Sequence, residues 1–202
     1  MRYWKPRKLP SKPLISMVVV AFERGPQLAC LIYSLKSQTY TNFEVTVYHD
    51  GPMSPTTLEH YRAAVGSDPR FTLVENKVRQ KNNGHPMRNQ GLEHAKGEYV
   101  GFANDDGYYC PVYLEALVAS LLENKSDFAY CDMIHSHLQW RPIISQLKRQ
   151  HIDIGNWLIK TEFARKCPPF RMEFAADWFF IEEAIKLGMR AHKVGGFYFT
   201  HN

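Results

Sequence analysis

Leu14 to Phe22 read LISMVVVAF, a continuous β-branched and apolar run with no polar alternation. Such a run is what a strand buried on both faces requires, and strands of that kind belong to parallel sheets. Gly25 and Pro26 break the run. Leu28, Leu31, Ile32 and Leu35 then recur at helical spacing and give one apolar face to lay against the strand. Phe43 to Tyr48, FEVTVY, is the next strand and closes on His49, Asp50 and Gly51. The order repeats outward: a helix over Thr56 to Val65, a strand over Phe71 to Val74, a polar loop, a helix from near Pro86, and a strand over Glu98 to Ala103. Beyond it Pro111 suits a first helical position, and Leu114, Leu117, Val118 and Leu121 form the stripe of another helix. Phe128 to Cys131 returns to the sheet. Alternation of this kind predicts an α/β layered fold whose ligands lie beyond the carboxyl ends of the strands.

At 202 residues the chain fits one compact domain. With 45% hydrophobic and 22% charged residues it matches ordinary globular usage, which excludes disordered, collagenous and fibrous classes. No stretch approaches the roughly 18 apolar residues of a membrane span, and the opening MRYWKPRKLPSKP is basic without an apolar signal core. These features predict a soluble, cytoplasmic protein. Cys30, Cys110, Cys131 and Cys167 form no C-x-x-C pair, so neither a zinc knuckle nor a dithiol redox motif is available. The formal charge of +5 suits an anionic ligand, a nucleic acid or plain solubility equally.

Two strand ends carry acids: Asp50, and the pair Asp105 and Asp106 in YVGFANDDGYYC, Tyr99 to Cys110. An Asp-Asp-Gly turn can simply be a polar turn or a helix cap. It also has the chemistry of a hard-cation site, since Mg²⁺ or Mn²⁺ is held by one or two carboxylates with substrate phosphate oxygens and waters completing the shell.

The longer stretch NGHPMRNQGLEHAKGEYVGFANDDGYYCPVYLEAL, Asn83 to Leu117, resembles the central signature of the GT-A glycosyltransferases, especially the large inverting family 2. In that family an Arg-Asn-x-Gly-x-x-x-Ala-x-Gly-Glu-Tyr helix and strand runs into an Asp-x-Asp motif. SMVVVAFERGPQLACLIYSLKSQTYTNFEVTVYHDG, Ser16 to Gly51, is similar to the family's nucleotide-binding opening. FAADWFFIEEAIKLGMRAHKV resembles its acid–aromatic helix start, and YFTHN its late His. The resemblance implies a single-domain GT-A, Rossmann-like fold with a mixed, mainly parallel sheet flanked by helices. That domain would span residues 16–202, after a basic extension over residues 1–15 containing Arg2, Trp4, Lys5, Pro6, Arg7 and Lys8.

The same resemblance implies roles. Phe22 and Asp50 would flank the nucleobase, with Asp50 accepting from it, although Asp50 can also cap a turn with Gly51. The Asp-x-Asp position reads Asn104-Asp105-Asp106, so its first acid is absent. Asp106 inherits the metal-ligand role, and Asp105 a contact to ribose or to a basic neighbour. His201 would be a second ligand, its imidazole favouring Mn²⁺ over Mg²⁺. The alternative is a solvated residue at a chain end. Arg88 would hold the acidic turn or approach a phosphate. Lys81 and His85 are weaker nucleotide or sugar contacts. Asp177 would be the catalytic base, and its place in the first turn of a helix also fits plain capping. Ala176 stands where a preceding acid is usual, leaving Asp177 without a carboxylate neighbour to raise its pKa. Trp157, Trp178 and Phe179 are candidates for an apolar wall against a sugar ring, or for core.

The expected activity is metal-dependent, inverting transfer of one sugar from a nucleotide-diphosphate sugar, UDP first and GDP second, to a hydroxyl of a glycan, lipid or protein. No Gln-x-x-Arg-Trp motif of processive synthases occurs. A non-catalytic nucleotide-sugar binding module would need Asp50 and Asp106 but not Asp177. A nucleotidyltransferase would need a Gly-rich, Arg-containing loop where AFERGP has only Gly25. A nucleic-acid binder would need clustered basic and aromatic residues, which are spread out here.

Overall fold

The computed structural model describes residues 9–202; Arg2, Trp4, Lys5, Pro6, Arg7 and Lys8 of the expected basic extension lie outside the described residues. The strand expected at Leu14 to Phe22 is β1, Ile15–Ala21, buried along its whole length. α1 (Gly25–Lys36), β2 (Phe43–His49), α2 (Pro55–Val65), β3 (Phe71–Glu75), α3 (His85–His94) and β4 (Tyr99–Asn104) follow in the expected order. A short strand β5 (Gly107–Tyr109) intervenes before α4 (Tyr113–Glu123), so Pro111 precedes the helix rather than opening it. β6 (Phe128–His135) is longer than its apolar run. β7 (Arg141–Ile143), β8 (Trp157–Lys160), α5 (Thr161–Ala164), α6 (Ala176–Lys186) and β9 (Ala191–His201) complete the chain.

The nine strands of the described residues form one sheet in the order β3-β2-β1-β4-β8-β6-β9-β5, with β7 paired to β6. The parallel ladders β1·β2, β1·β4, β2·β3 and β6·β9 run five to eight residue pairs, whereas each antiparallel ladder has three. The sheet is therefore mixed and mainly parallel. Strand alternation divides the core. Ile15, Met17, Val19 and Ala21 of β1 pack under α1, α2 and α4. Val18 and Val20 face the opposite layer of α3, α5 and α6. Each large aliphatic or aromatic side chain buried in these layers contributes roughly 1.5–3 kcal/mol.

From β1 the chain steps to β2 and β3 on one side, and β4 then inserts on the other side of β1. That reversal opens a crevice beyond the carboxyl ends of β1 and β4, the usual ligand position in such sheets. No helix among the described residues is long and apolar enough to cross a membrane.

Candidate active site

The acidic turn sits at this switch point because β4 runs out of apolar sequence at Asn104. Asp105 N–H donates to the Val20 carbonyl (3.0 Å), and Phe22 N–H donates back to Asp105 Oδ2 (2.9 Å), so the two strand ends lock together. Asp105 is 1% exposed. Burial pushes its carboxyl up to about 6, against the pull of the Phe22 N–H and Arg24 and with a further push from Asp106. The basic neighbour is Arg24, whose guanidinium lies 2.8 Å from Asp105 Oδ1 and also pairs with Asp106 Oδ2. The remaining oxygen of Asp106, Oδ1, is buried with no hydrogen-bond partner. A buried carboxylate oxygen left bare in this way fits a cation ligand.

Arg88 approaches the turn from α3. That helix is entered through Gly84 at φ +76°, where an added Cβ would stand 2.3 Å from Val20 Cγ1, so only glycine lets the helix start this close to β1. One turn on, Arg88 is 3% exposed and donates to the Asn83 carbonyl (2.6 Å) and to the Asn104 side-chain oxygen. Burial lowers it to about 10, while Asp177, Asp153 and Asp105 act to retain its charge. Arg88 thus holds the turn through Asn104, the residue that replaces the missing acid. His85 bridges Arg88 (3.0 Å) and the Glu173 carbonyl (3.1 Å), and burial together with Arg88 drives it down to about 4.

On the β2 side, both oxygens of Asp50 accept backbone N–H groups, from Gln80 (2.6 Å) and Lys81 (2.9 Å). This organises the loop before α3. Arg79 in that loop lays its guanidinium 3.5 Å over the Phe22 ring, with Nε 3.8 Å from Asp50, and His49 stacks near the same ring. Phe22 and Asp50 are therefore linked through Arg79, which the sequence reading did not single out. Lys81 contributes its backbone N–H to Asp50.

A cleft of ≈ 930 Å³ opens next to the turn, lined by His135, Asp153, Asp177, Trp178 and His201 with an 85%-exposed Phe174 at its rim. Asp177 lies in the first turn of α6, whose N-cap is Ala175 in the left-handed region; no side chain caps this helix. Its carboxylate accepts Trp178 N–H (2.8 Å). Burial and then Asp153 push Asp177 up to about 6, against Trp178 N–H and Arg88. The expectation that no neighbouring acid raises Asp177 is corrected: Asp153 reaches it from the turn before β8. His201 is not a loose chain end but the last residue of β9. It bonds Asp153 Oδ2 through Nδ1 (3.0 Å) and stacks on His135 at 4.3 Å and 9°. Trp157 is core, fully buried between Phe102, Phe128 and Phe180, and no part of a sugar wall. Phe179 lies under Arg171 (4.7 Å), and Trp178 alone of the three aromatics lines the cleft.

The donor set suits a divalent metal, with Asp106 Oδ1 bare and imidazole nitrogens close by. Asp106 is near enough for its charge to act on both His135 and His201. Arg24 and Asp153 escaped the sequence reading. Arg24 had the signal of a cation two residues beyond a buried strand, whereas Asp153 in HIDIGN carried none.

The model of the family described as glycosyl transferase family 2 matches residues 16–183. The Escherichia coli protein named UDP-Glc:alpha-D-GlcNAc-diphosphoundecaprenol beta-1,3-glucosyltransferase WfgD is 26% identical over 117 residues, 58% of this chain and 44% of its own length. The chain spans less than half the length of other curated relatives it matches. Among solved structures, residues 1–349 of S. aureus TarS in complex with UDP-GlcNAc superimpose with a TM-score of 0.77 at 19% identity, over 92% of this chain and 57% of that one. The Pyrobaculum calidifontis mannosyltransferase PcManGT, in complex with GDP-Man and Mn²⁺, gives 0.75 at 17% identity over 95% and 57%. The fold is thus that of GT-A glycosyltransferases.

Proposed function

Because the chain belongs to glycosyl transferase family 2, we propose that it moves a single sugar from a nucleotide-diphosphate sugar to an acceptor hydroxyl, with inversion at the anomeric carbon. The observation that carries this reading is Asp177: a half-buried carboxylate, shifted to about 6, lining a cleft with His135 and His201, on both of which the charge of Asp106 acts. A base with a pKa near the working pH is ionised enough to accept a proton and basic enough to take it. UDP is the favoured nucleotide and GDP the second, in keeping with the UDP-GlcNAc and GDP-Man complexes of the structural relatives.

In this reading Phe22, Asp50 and Arg79 receive the base, Asp105 the ribose side, and Trp178 the sugar ring. Asp106 and His201 would hold a Mn²⁺, or Mg²⁺, which when bound neutralises charge on the departing diphosphate. Asp177 takes the acceptor proton as the acceptor oxygen attacks from the face opposite the leaving group. Arg88 keeps Asp177 from rising further and holds the turn still, so that binding aligns the attack. Four free thiols support a reducing, cytoplasmic setting.

The test is release of UDP from UDP-glucose or UDP-GlcNAc, with Mn²⁺ and a panel of sugar acceptors, by the wild type and Asp177→Asn. The expected result is turnover by the wild type and a loss of about 10²–10⁴-fold in the variant, with donor binding retained. Equal turnover in both would remove Asp177 from the chemistry. Donor binding without turnover in either would favour a binding module.

A further inference from the structure

Outside the acidic turn, one cluster has the composition of a metal centre in its own right. His135 ends β6 and His201 ends β9, and the parallel register pairs these two residues directly. Their side chains consequently leave the sheet together, ring on ring. Asp153 arrives from a tight turn in which Gly155 N–H donates to Asp153 Oδ1 (2.9 Å) and Asp153 N–H donates to the Asn156 side chain (3.2 Å). The turn is pressed against β9: a Cβ on Gly155 would stand 2.3 Å from the Phe199 ring. Asp153 Oδ1 is thereby engaged and Oδ2 turned towards His201. One ligand atom from each of the three residues lies within 4.8 Å of the others.

We propose that His135, Asp153 and His201 form a divalent transition-metal site that holds its ion before any nucleotide arrives. The role of that ion in sugar transfer rests on the reading above; its binding does not. One observation beyond the cluster points the same way: His135 Nδ1 is buried with no hydrogen-bond partner, an unsatisfied nitrogen beside the Asp153 carboxylate.

Two imidazoles and one carboxylate are a three-residue set of the kind that leaves coordination positions open for substrate oxygens. Metal–ligand bonds of about 2.0–2.2 Å need the three atoms somewhat closer than they stand, which small side-chain rotations supply. The nitrogen share sets the preference: Mn²⁺, Co²⁺ and Zn²⁺, with affinity rising in that order, over Mg²⁺.

The experiment uses the full chain without nucleotide. Mn²⁺ binding is followed by loss of the free-ion electron paramagnetic resonance signal, Co²⁺ binding by its visible bands, and coordinated nitrogen by electron spin-echo modulation. One ion per chain bearing two imidazoles, undisturbed by excess Mg²⁺, is expected. His135→Gln and Asp153→Asn should each weaken it at least tenfold. Because the nitrogen count is read on the wild type, a variant that folds poorly does not blunt the test. No binding without nucleotide, or a single imidazole on the ion, would overturn the proposal. Nucleotide-dependent binding would do so while leaving the transferase reading intact. An ion held by two imidazoles with no nucleotide joining it would uphold this site and count against the transferase.

Discussion

Asp177 carries opposed demands. Its raised value means that the folded chain prefers it protonated, whereas a base must be ionised. For a carboxyl shifted from 3.8 to about 6, the stabilisation is complete below the unfolded value and is lost as pH rises through about 6. At pH 7.5 the charged group therefore costs the fold on the order of 2–3 kcal/mol. Asp177→Asn should melt higher than wild type at pH 7.5, and the gap should close below pH 4, as read by calorimetry at both values. Activity runs the opposite way. kcat/KM should climb with pH through about 6 and level off above it; a profile flat from pH 5 to 8 would remove Asp177 as the base. The residue was legible in the sequence by resemblance, but its environment was not. The raising carboxylate, Asp153, belongs to a turn whose position beside α6 exists only in three dimensions.

The elements legible in the sequence were those with their own periodicity. β1 announced itself by an unbroken apolar run, and α1 and α4 by stripes that now lie on the sheet. β5, β7 and β8 are three or four residues long and owe their existence to partners, so no local pattern marked them. β9, with its half-exposed AHKVGGFYFTH, reads as polar alternation broken by two glycines, yet it delivers His201 in register with His135. The entry to α3 matters in the same way, since Gly84 sets the distance from which Arg88 reaches the turn. Gly84→Ala should cost about 1–3 kcal/mol, from the left-handed backbone and the collision with Val20. At roughly 2–4 °C per kcal/mol for a chain this size, that is a fall of several degrees in Tm. An unchanged Tm would mean that α3 is free to back away from β1.

Across the whole molecule, topology decides where chemistry gathers. The order β3-β2-β1-β4 opens the switch point at which Phe22, Asp105 and Arg24 meet. The second half of the sheet, of whose strands the sequence marked only the start of β6, brings Asp153 and His201 together beside Asp177. Sequence reading placed Asp50, Asp105 and Asp106 at strand ends because the consecutive βα units of the first half are written locally. It singled out Phe22, Arg88, Asp177 and His201 only by resemblance, and it passed over Arg24, Arg79, His135 and Asp153, whose neighbours are distant in the chain. The central claim is a metal-assisted nucleotide-sugar site at that crevice. Its most direct test is calorimetric titration of the full chain with UDP, in Mn²⁺ and again in EDTA, for wild type and Asp106→Ala. The account predicts saturable binding of UDP by the wild type in Mn²⁺, lost in EDTA and lost in the variant. UDP affinity that survives both EDTA and Asp106→Ala would contradict it.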